Sequence, residues 1–166
     1  MRVITSHMGN DFDSLASMVA AEKLYPGARL CLSGSASRTV RDFLKKTGNK
    51  WTVLTPKKIK FDEITMLIVV DARSRSRIGA FASVLGKKNI PVHVYDHHPP
   101  SIDDIDGELV RIEPVGATTT LLVETLLERR ISISPSEATL FATGIYEDTG
   151  GLTFSGTTPR DFAAVA

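Results

Sequence analysis

The sequence predicts an α/β domain built on a Rossmann-like, mostly parallel sheet of about five strands with helices on both faces. Three observations lead there. Short β-branched apolar runs alternate with longer helical segments along the chain, the signature of strand–helix–strand units. No Pro/Gly/Ser-rich linker breaks the alternation, so the 166 residues are read as one domain. Met66-Leu67-Ile68-Val69-Val70 is an uninterrupted apolar run ended by Asp71, which suits a strand buried on both faces.

Arg2–Ser6 reads as the first strand, followed by a loop and a helix from about Ser14 to Leu24, stopped by Pro26 and Gly27. Ala28–Ser33 is the next strand. Ser37–Thr47 is a helix with a serine cap and Gly48 at its end, and Trp51–Leu54 is a short strand. After Met66–Val70, the segment Arg77–Leu85 is expected to be a crossover helix. Val92–Tyr95 and Leu109–Ile112 are further strands, and Ala117–Arg129 and Pro135–Tyr146 are helices. Pro159–Ala166 begins another helix with no stop signal.

Composition narrows the function classes. Twenty Lys and Arg against 19 Asp and Glu leave a formal charge of +1, and 42% of residues are hydrophobic. Disorder, collagen and coiled coil are excluded as the main state. Cys31 is the single cysteine and cannot form an intramolecular disulfide, and the N-terminus lacks a signal-peptide pattern. A reducing, cytoplasmic location is expected. The longest uncharged apolar run is too short to cross a bilayer, so no membrane association is expected. The global charge offers no footprint for duplex nucleic acid; clusters at Lys57, Lys58 and Lys60 and at Arg73, Arg75 and Arg77 read as solvated faces.

Ligands of open parallel sheets collect at the carboxyl ends of the strands. The polar residues there are His7, Asp11, Asp13 and Ser14 after the first strand, Asp71 after Met66–Val70, and Asp96-His97-His98 after Val92–Tyr95. Asp148 follows the Pro135–Tyr146 helix. Taken singly, Asp11, Asp13 or Ser14 would serve as a helix cap, and His97 or His98 as an ordinary loop histidine. Together, so many carboxylates at one sheet edge would repel one another unless a cation neutralises them. Mixed carboxylate and imidazole ligands suit Mn²⁺, with Mg²⁺ or Co²⁺ possible, and a pair of such ions activates water for attack on phosphoesters or phosphoanhydrides.

The order His7-x-x-x-Asp11-x-Asp13, Asp71, Asp96-His97-His98, Asp148 resembles the DHH phosphoesterase family. Its members include RecJ-type exonucleases, oligoribonucleases, cyclic-dinucleotide phosphodiesterases and family II inorganic pyrophosphatases. The resemblance runs from His7 to about Phe154. It implies that His7 and Asp11 ligate one Mn²⁺, that Asp13, His97 and Asp148 ligate the other, and that Asp71 bridges them. It further implies His98 as the catalytic, substrate-facing histidine, with Asp96 fixing a histidine tautomer. Arg77 is similar to an arginine that follows the family's second motif. Gly116, Thr118 and Thr119 lie in a segment that resembles one beside the family's site, where a helix N-terminus would meet a phosphate.

The activity implied is hydrolysis of phosphodiester bonds in short or single-stranded oligonucleotides or small nucleotides. Pyrophosphate hydrolysis is the alternative, as is a non-catalytic nucleotide- and metal-binding module within a larger protein with CBS or tRNA nucleotidyltransferase regions. Two departures stand out. Phe12 replaces the usual glycine between the first two aspartates and is expected to pack on the helix that follows. The family's C-terminal substrate-binding domain is missing, so residues 1–166 are expected to be a catalytic domain from a longer chain.

Overall fold

A computed structural model describes residues 1–48 and 50–166. Six parallel strands form one sheet in the order β3-β2-β1-β4-β5-β6, against an expected total of about five, and each falls on a segment read as a strand. They are β1 (Arg2–Thr5), β2 (Arg29–Cys31), β3 (Val53–Leu54), β4 (Met66–Val70), β5 (Val92–Asp96) and β6 (Leu109–Ile112). The chain steps outward from β1 to β3, returns to pair β4 with β1, and steps outward again. The reversal of order therefore lies between β1 and β4, where a parallel sheet opens its ligand crevice.

Each strand divides its residues between two cores, as the two-residue repeat of a strand requires. Ile4, Leu30, Ile68, Val70 and Tyr95 face a layer of α1 (Phe12–Leu24), α2 (Arg38–Lys46), α3 (Thr118–Glu128) and α4 (Pro135–Asp148). Val3, Cys31, Leu67, Val69, Val92 and Val94 face the other layer, with Ile59, Ile64, Ile78, Phe81 and Val84. Cys31 is fully buried, which pushes its thiol up to about 12. A short helix, α5 (Pro159–Val165), packs on α3 and α4. Among the described residues no helix is long and apolar enough to cross a membrane.

The expected helix Arg77–Leu85 is instead a 3₁₀ segment, Arg75–Val84, broken at Gly79. Its buried residues Ile78, Phe81 and Val84 recur every third position, the repeat of a 3₁₀ turn and not of an α-helix. Gly79 adopts φ +54°, and a Cβ there would lie 2.7 Å from the Ser33 carbonyl oxygen. This close approach lets the Arg77 carbonyl accept a hydrogen bond from Met8 N–H at 2.8 Å, which fixes the loop after β1. Phe12 packs edge-on against Phe43 of α2, and Phe43 stacks on Trp51, so Phe12 leans on α2 and not on its own helix.

Candidate metal centre

The loops after β1, β4 and β5 and the end of α4 meet at the reversal point. β4 delivers Asp71 in a left-handed conformation, φ +54°. That backbone costs about 1–2 kcal/mol for most residues, and aspartate is among the few that adopt it. The turn leaves the Asp71 carboxylate buried, with one oxygen on each side. Oδ2 lies 3.1 Å from His7 Nε2 and accepts from Ser14 Oγ at 2.7 Å. Oδ1 accepts from Thr118 Oγ1 at 3.2 Å and lies 3.7 Å from His97 Nε2 and 3.8 Å from His98 Nδ1.

Two groups that could each hold a metal ion share this carboxylate: His7, Asp11 and Asp71, and Asp13, Asp71, His97 and Asp148. In the first, Asp11 fills both roles open to it. Its Oδ1 accepts from Ser14 N–H as the cap of α1, while Oδ2 lies 3.5 Å from His7 Nε2. In the second, His97 Nδ1 bonds to the Val115 carbonyl oxygen at 3.0 Å, which turns Nε2 toward Asp148 Oδ2 at 3.2 Å. His97, His98 and Asp71 also form a third candidate cluster. Beside it, His98 Nδ1 bonds to Asp96 Oδ1 at 2.8 Å.

Electrostatics bear the marks of crowding. Burial acts to lower His7, but hydrogen bonds to Asp11 and Asp71 outweigh it and hold the imidazole at about 10. His97 is likewise lowered by burial yet raised to about 10 by Asp148, Asp13 and Asp71. Asp11 is disfavoured as an anion by burial, but His7 and Ser14 bring it down to about 2. Asp13, fully buried, is raised well above the usual carboxylate range, first by burial and then by Asp71 and Asp148. An unshielded carboxylate cluster of this kind is what a bound cation relieves.

The donor set fits divalent ions. Oxygen and imidazole ligands at about 2.1 Å from an octahedral ion lie about 3 Å apart, and these groups hold atoms at 3.1 to 3.7 Å before any ion draws them in. His97 Nε2 is also buried with no partner in hydrogen-bonding geometry, an orphaned ligand atom aimed at three carboxylates.

The N-terminus of α3 corrects an expectation. The Thr118 and Thr119 N–H groups donate to Asp13 Oδ2 and Oδ1 at 2.8 and 2.9 Å, and Gly116 N–H donates to Asp161. Carboxylates from the chain thus already occupy the donors that a phosphate would meet, Asp13 on Thr118 and Thr119 and Asp161 on Gly116. Arg77 is exposed and, with Arg73 and His98, lines a hollow of about 580 Å³ at the edge of the site. Arg73 pairs with Asp104 and donates to the His98 carbonyl oxygen. His93 is away from this cluster, bonded through Nδ1 to Tyr25 Oη.

Four contributors carried no sequence signal of their role. Ser14 and Thr118 place hydroxyls on Asp71, Glu147 Oε2 accepts from Phe12 N–H at the start of α1, and Asp161 grips Gly116. Ser14, next to Asp13, and Glu147, next to Asp148, lay beside motifs, and Thr118 lay in the segment named for a phosphate; Asp161 lay beside none.

A model of the DHH family, N-terminal domain, matches residues 2–145. Two curated relatives carry the name A-adding tRNA nucleotidyltransferase. One, from Geobacter sulfurreducens, is 47% identical over 167 residues; the other, from Aquifex aeolicus, is 39% identical over 166. They match 100% and 99% of this chain, which spans 19% of the length of each. Among solved structures, a provisionally assigned family II inorganic pyrophosphatase from Methanococcus jannaschii superimposes with a TM-score of 0.78 at 24% identity, over 99% of this chain and 54% of its own. An exopolyphosphatase-related protein from Bacteroides fragilis gives 0.77 at 20% identity, over 98% of this chain and 50% of its own. These two likenesses concern the fold. With the family model spanning β1 to the last turns of α4, the chain belongs to the DHH family as its N-terminal domain.

Proposed function

We propose that this domain is a two-metal phosphoesterase that hydrolyses phosphodiester bonds in short or single-stranded oligonucleotides or small nucleotides, with Mn²⁺ as its preferred ion and Mg²⁺ or Co²⁺ as substitutes. The observation that carries this reading is the Asp71 carboxylate, which turns one oxygen to each of two ligand groups. His7, Asp11 and Asp71 would hold one ion, and Asp13, Asp71, His97 and Asp148 the other. Ions bound there supply an activated water and neutralise charge developing on phosphoryl oxygens.

The chain's own residues do the rest. Asp96 accepts the Nδ1 proton of His98, which leaves Nε2 to meet a phosphoryl or leaving oxygen. Arg73 and Arg77 border the hollow next to His98, and Arg73 is already paired with Asp104. A phosphodiester, with one negative charge per phosphate, matches this modest cationic lining. The test is a calorimetric Mn²⁺ titration of the metal-stripped chain, followed by assays on short oligonucleotides, cyclic dinucleotides and pyrophosphate. Two ions per chain and phosphodiester cleavage that Asp71→Ala and His98→Ala abolish are expected. Absence of ion uptake would overturn the reading, and uptake without turnover would leave a binding module.

Pyrophosphate hydrolysis is the second reading, favoured by the name of the curated relatives. Nucleotidyl transfer from a nucleoside triphosphate releases pyrophosphate, and a hydrolase in the same chain would remove that product. Phosphate release from pyrophosphate faster than from any oligonucleotide would favour it.

A further inference from the structure

We infer that Asp161, on α5, is a positioning residue for the second ligand group, acting through the backbone segment Val115–Thr119. The inference rests on the two-metal reading above and concerns a residue beyond the stretch that the family model matches.

Val115–Thr119 touches three of the four members of that group and the neighbour of the fourth. The Val115 carbonyl oxygen bonds to His97 Nδ1, Thr118 and Thr119 N–H hold both oxygens of Asp13, and Thr118 Oγ1 donates to Asp71. A Cβ at Gly116 would lie 2.5 Å from Thr149 Cγ2, so this backbone is also pressed against the residue that follows Asp148. Nothing comparable links the segment to His7 or Asp11.

Asp161 holds the segment from the other side. Its carboxylate is fully buried and has no cationic partner among the described residues. It accepts from Gly116 N–H at 3.0 and 2.9 Å and from Thr120 Oγ1 at 2.6 Å, one contact on each side of the Asp13-binding amides. Thr158 N–H and Oγ1 complete its shell at 2.7 and 2.8 Å. A buried anion satisfied by donors on both α3 and α5 fixes their spacing, because moving either helix leaves a desolvated charge without its donors. The same Cβ at Gly116 would approach Asp161 Oδ2 to 2.8 Å, so any larger residue must push this carboxylate or the end of α4 aside. Arg160 anchors α5 separately, through Glu113 and Glu124.

Electron paramagnetic resonance of the Mn²⁺-loaded chain tests this, because two neighbouring Mn²⁺ ions give a spin-coupled spectrum and a single ion does not. The wild-type chain is expected to show the coupled pair. Asp161→Asn, which keeps the shape but removes an acceptor, is expected to weaken the second ion about 10- to 100-fold while the first binds as before. Arg160→Ala, which loosens α5 without touching the grip on Gly116, should retain the pair. A folded Asp161→Asn protein with both ions at wild-type affinity overturns the inference. So does equal loss of both ions in Asp161→Asn, or loss of the second ion in Arg160→Ala. If Asp161→Asn does not fold, Thr120→Val decides: a selectively weaker second ion supports the inference, and unchanged uptake overturns it. A wild-type chain that takes up one ion or none defeats the two-metal reading itself, and this inference with it.

Discussion

The two ligand groups that share Asp71 are assembled in different ways. His7 and Asp11 sit in one connection between β1 and α1, and the cap of α1 itself aims Asp11 at His7. Asp13, His97 and Asp148 come from three distant segments; Val115–Thr119, which belongs to none of them, binds Asp13 and His97 and presses on Thr149 beside Asp148. The first group inherits its geometry from a local turn. The second exists only when β5, α3, α4 and α5 are all in place, so it should be the weaker and more easily disturbed of the two.

The largest effect is expected where the groups meet. Asp71→Asn removes a charge that both use, and should prevent uptake of the pair and lower Mn²⁺-dependent phosphodiester cleavage by more than ~100-fold. Metal analysis of the purified variant with parallel assays checks this, and retention of two ions would break the shared bridge. Next comes the contrast between neighbouring aspartates. Asp13→Ala leaves the Thr118 and Thr119 N–H groups without acceptors and should cost about 2 kcal/mol or more, together with the second ion. Asp11→Ala removes a helix cap worth about 1 kcal/mol and disturbs the first ion instead. Urea denaturation with and without Mn²⁺ separates the two outcomes.

The pH dependence follows from one histidine in each group. Without ions, His7 and His97 are held near 10 against 6.5 in an unfolded chain. Raised folded-state values contribute stability that is complete below pH 6.5 and lost as pH climbs toward 10. The Tm of the chelated protein should therefore fall over that interval, by about 3 °C or more. Ion binding needs neutral imidazoles, so affinity should rise over the same range with release of about one proton from each histidine, to which the raised Asp13 adds in the second group. Calorimetry in buffers of different ionisation heat counts them, and release of one proton would mean that only one group takes an ion.

A smaller, matched pair of substitutions sharpens the contrast. Gly79→Ala forces a left-handed residue against the Ser33 carbonyl oxygen beside the loop that holds His7, and should weaken the first ion alone. Gly116→Ala meets Thr149 and Asp161, and should weaken the second alone. Changes of about tenfold in each apparent affinity are expected, read from the same Mn²⁺ titration.

The strand ends were legible in the sequence because apolar runs stop there at an ionisable residue: Val70 before Asp71, and Tyr95 before Asp96. The segment Arg75–Val84 was not read correctly, although the spacing of Ile78, Phe81 and Val84 carried the repeat of three that it adopts. At α3 the misreading has a different origin. A helix start rich in small residues reads as an anion site, and it is one, but its anion is Asp13, about a hundred positions earlier in the chain. No local pattern records which carboxylate will arrive. Asp161 was invisible for the same reason, since its TPRD context announces only a capping box.

The placement of β1 beside β4, at the centre of the sheet, also sets when the site can form. Its candidate ligands span residues 7 to 148, and they converge only after long parallel crossovers close, which are slow steps in folding. Ions that recognise only the finished arrangement have nothing to stabilise at the folding barrier. Mn²⁺ should therefore leave the refolding rate almost unchanged and slow unfolding, acting as a late lock on a chain that has already found its topology.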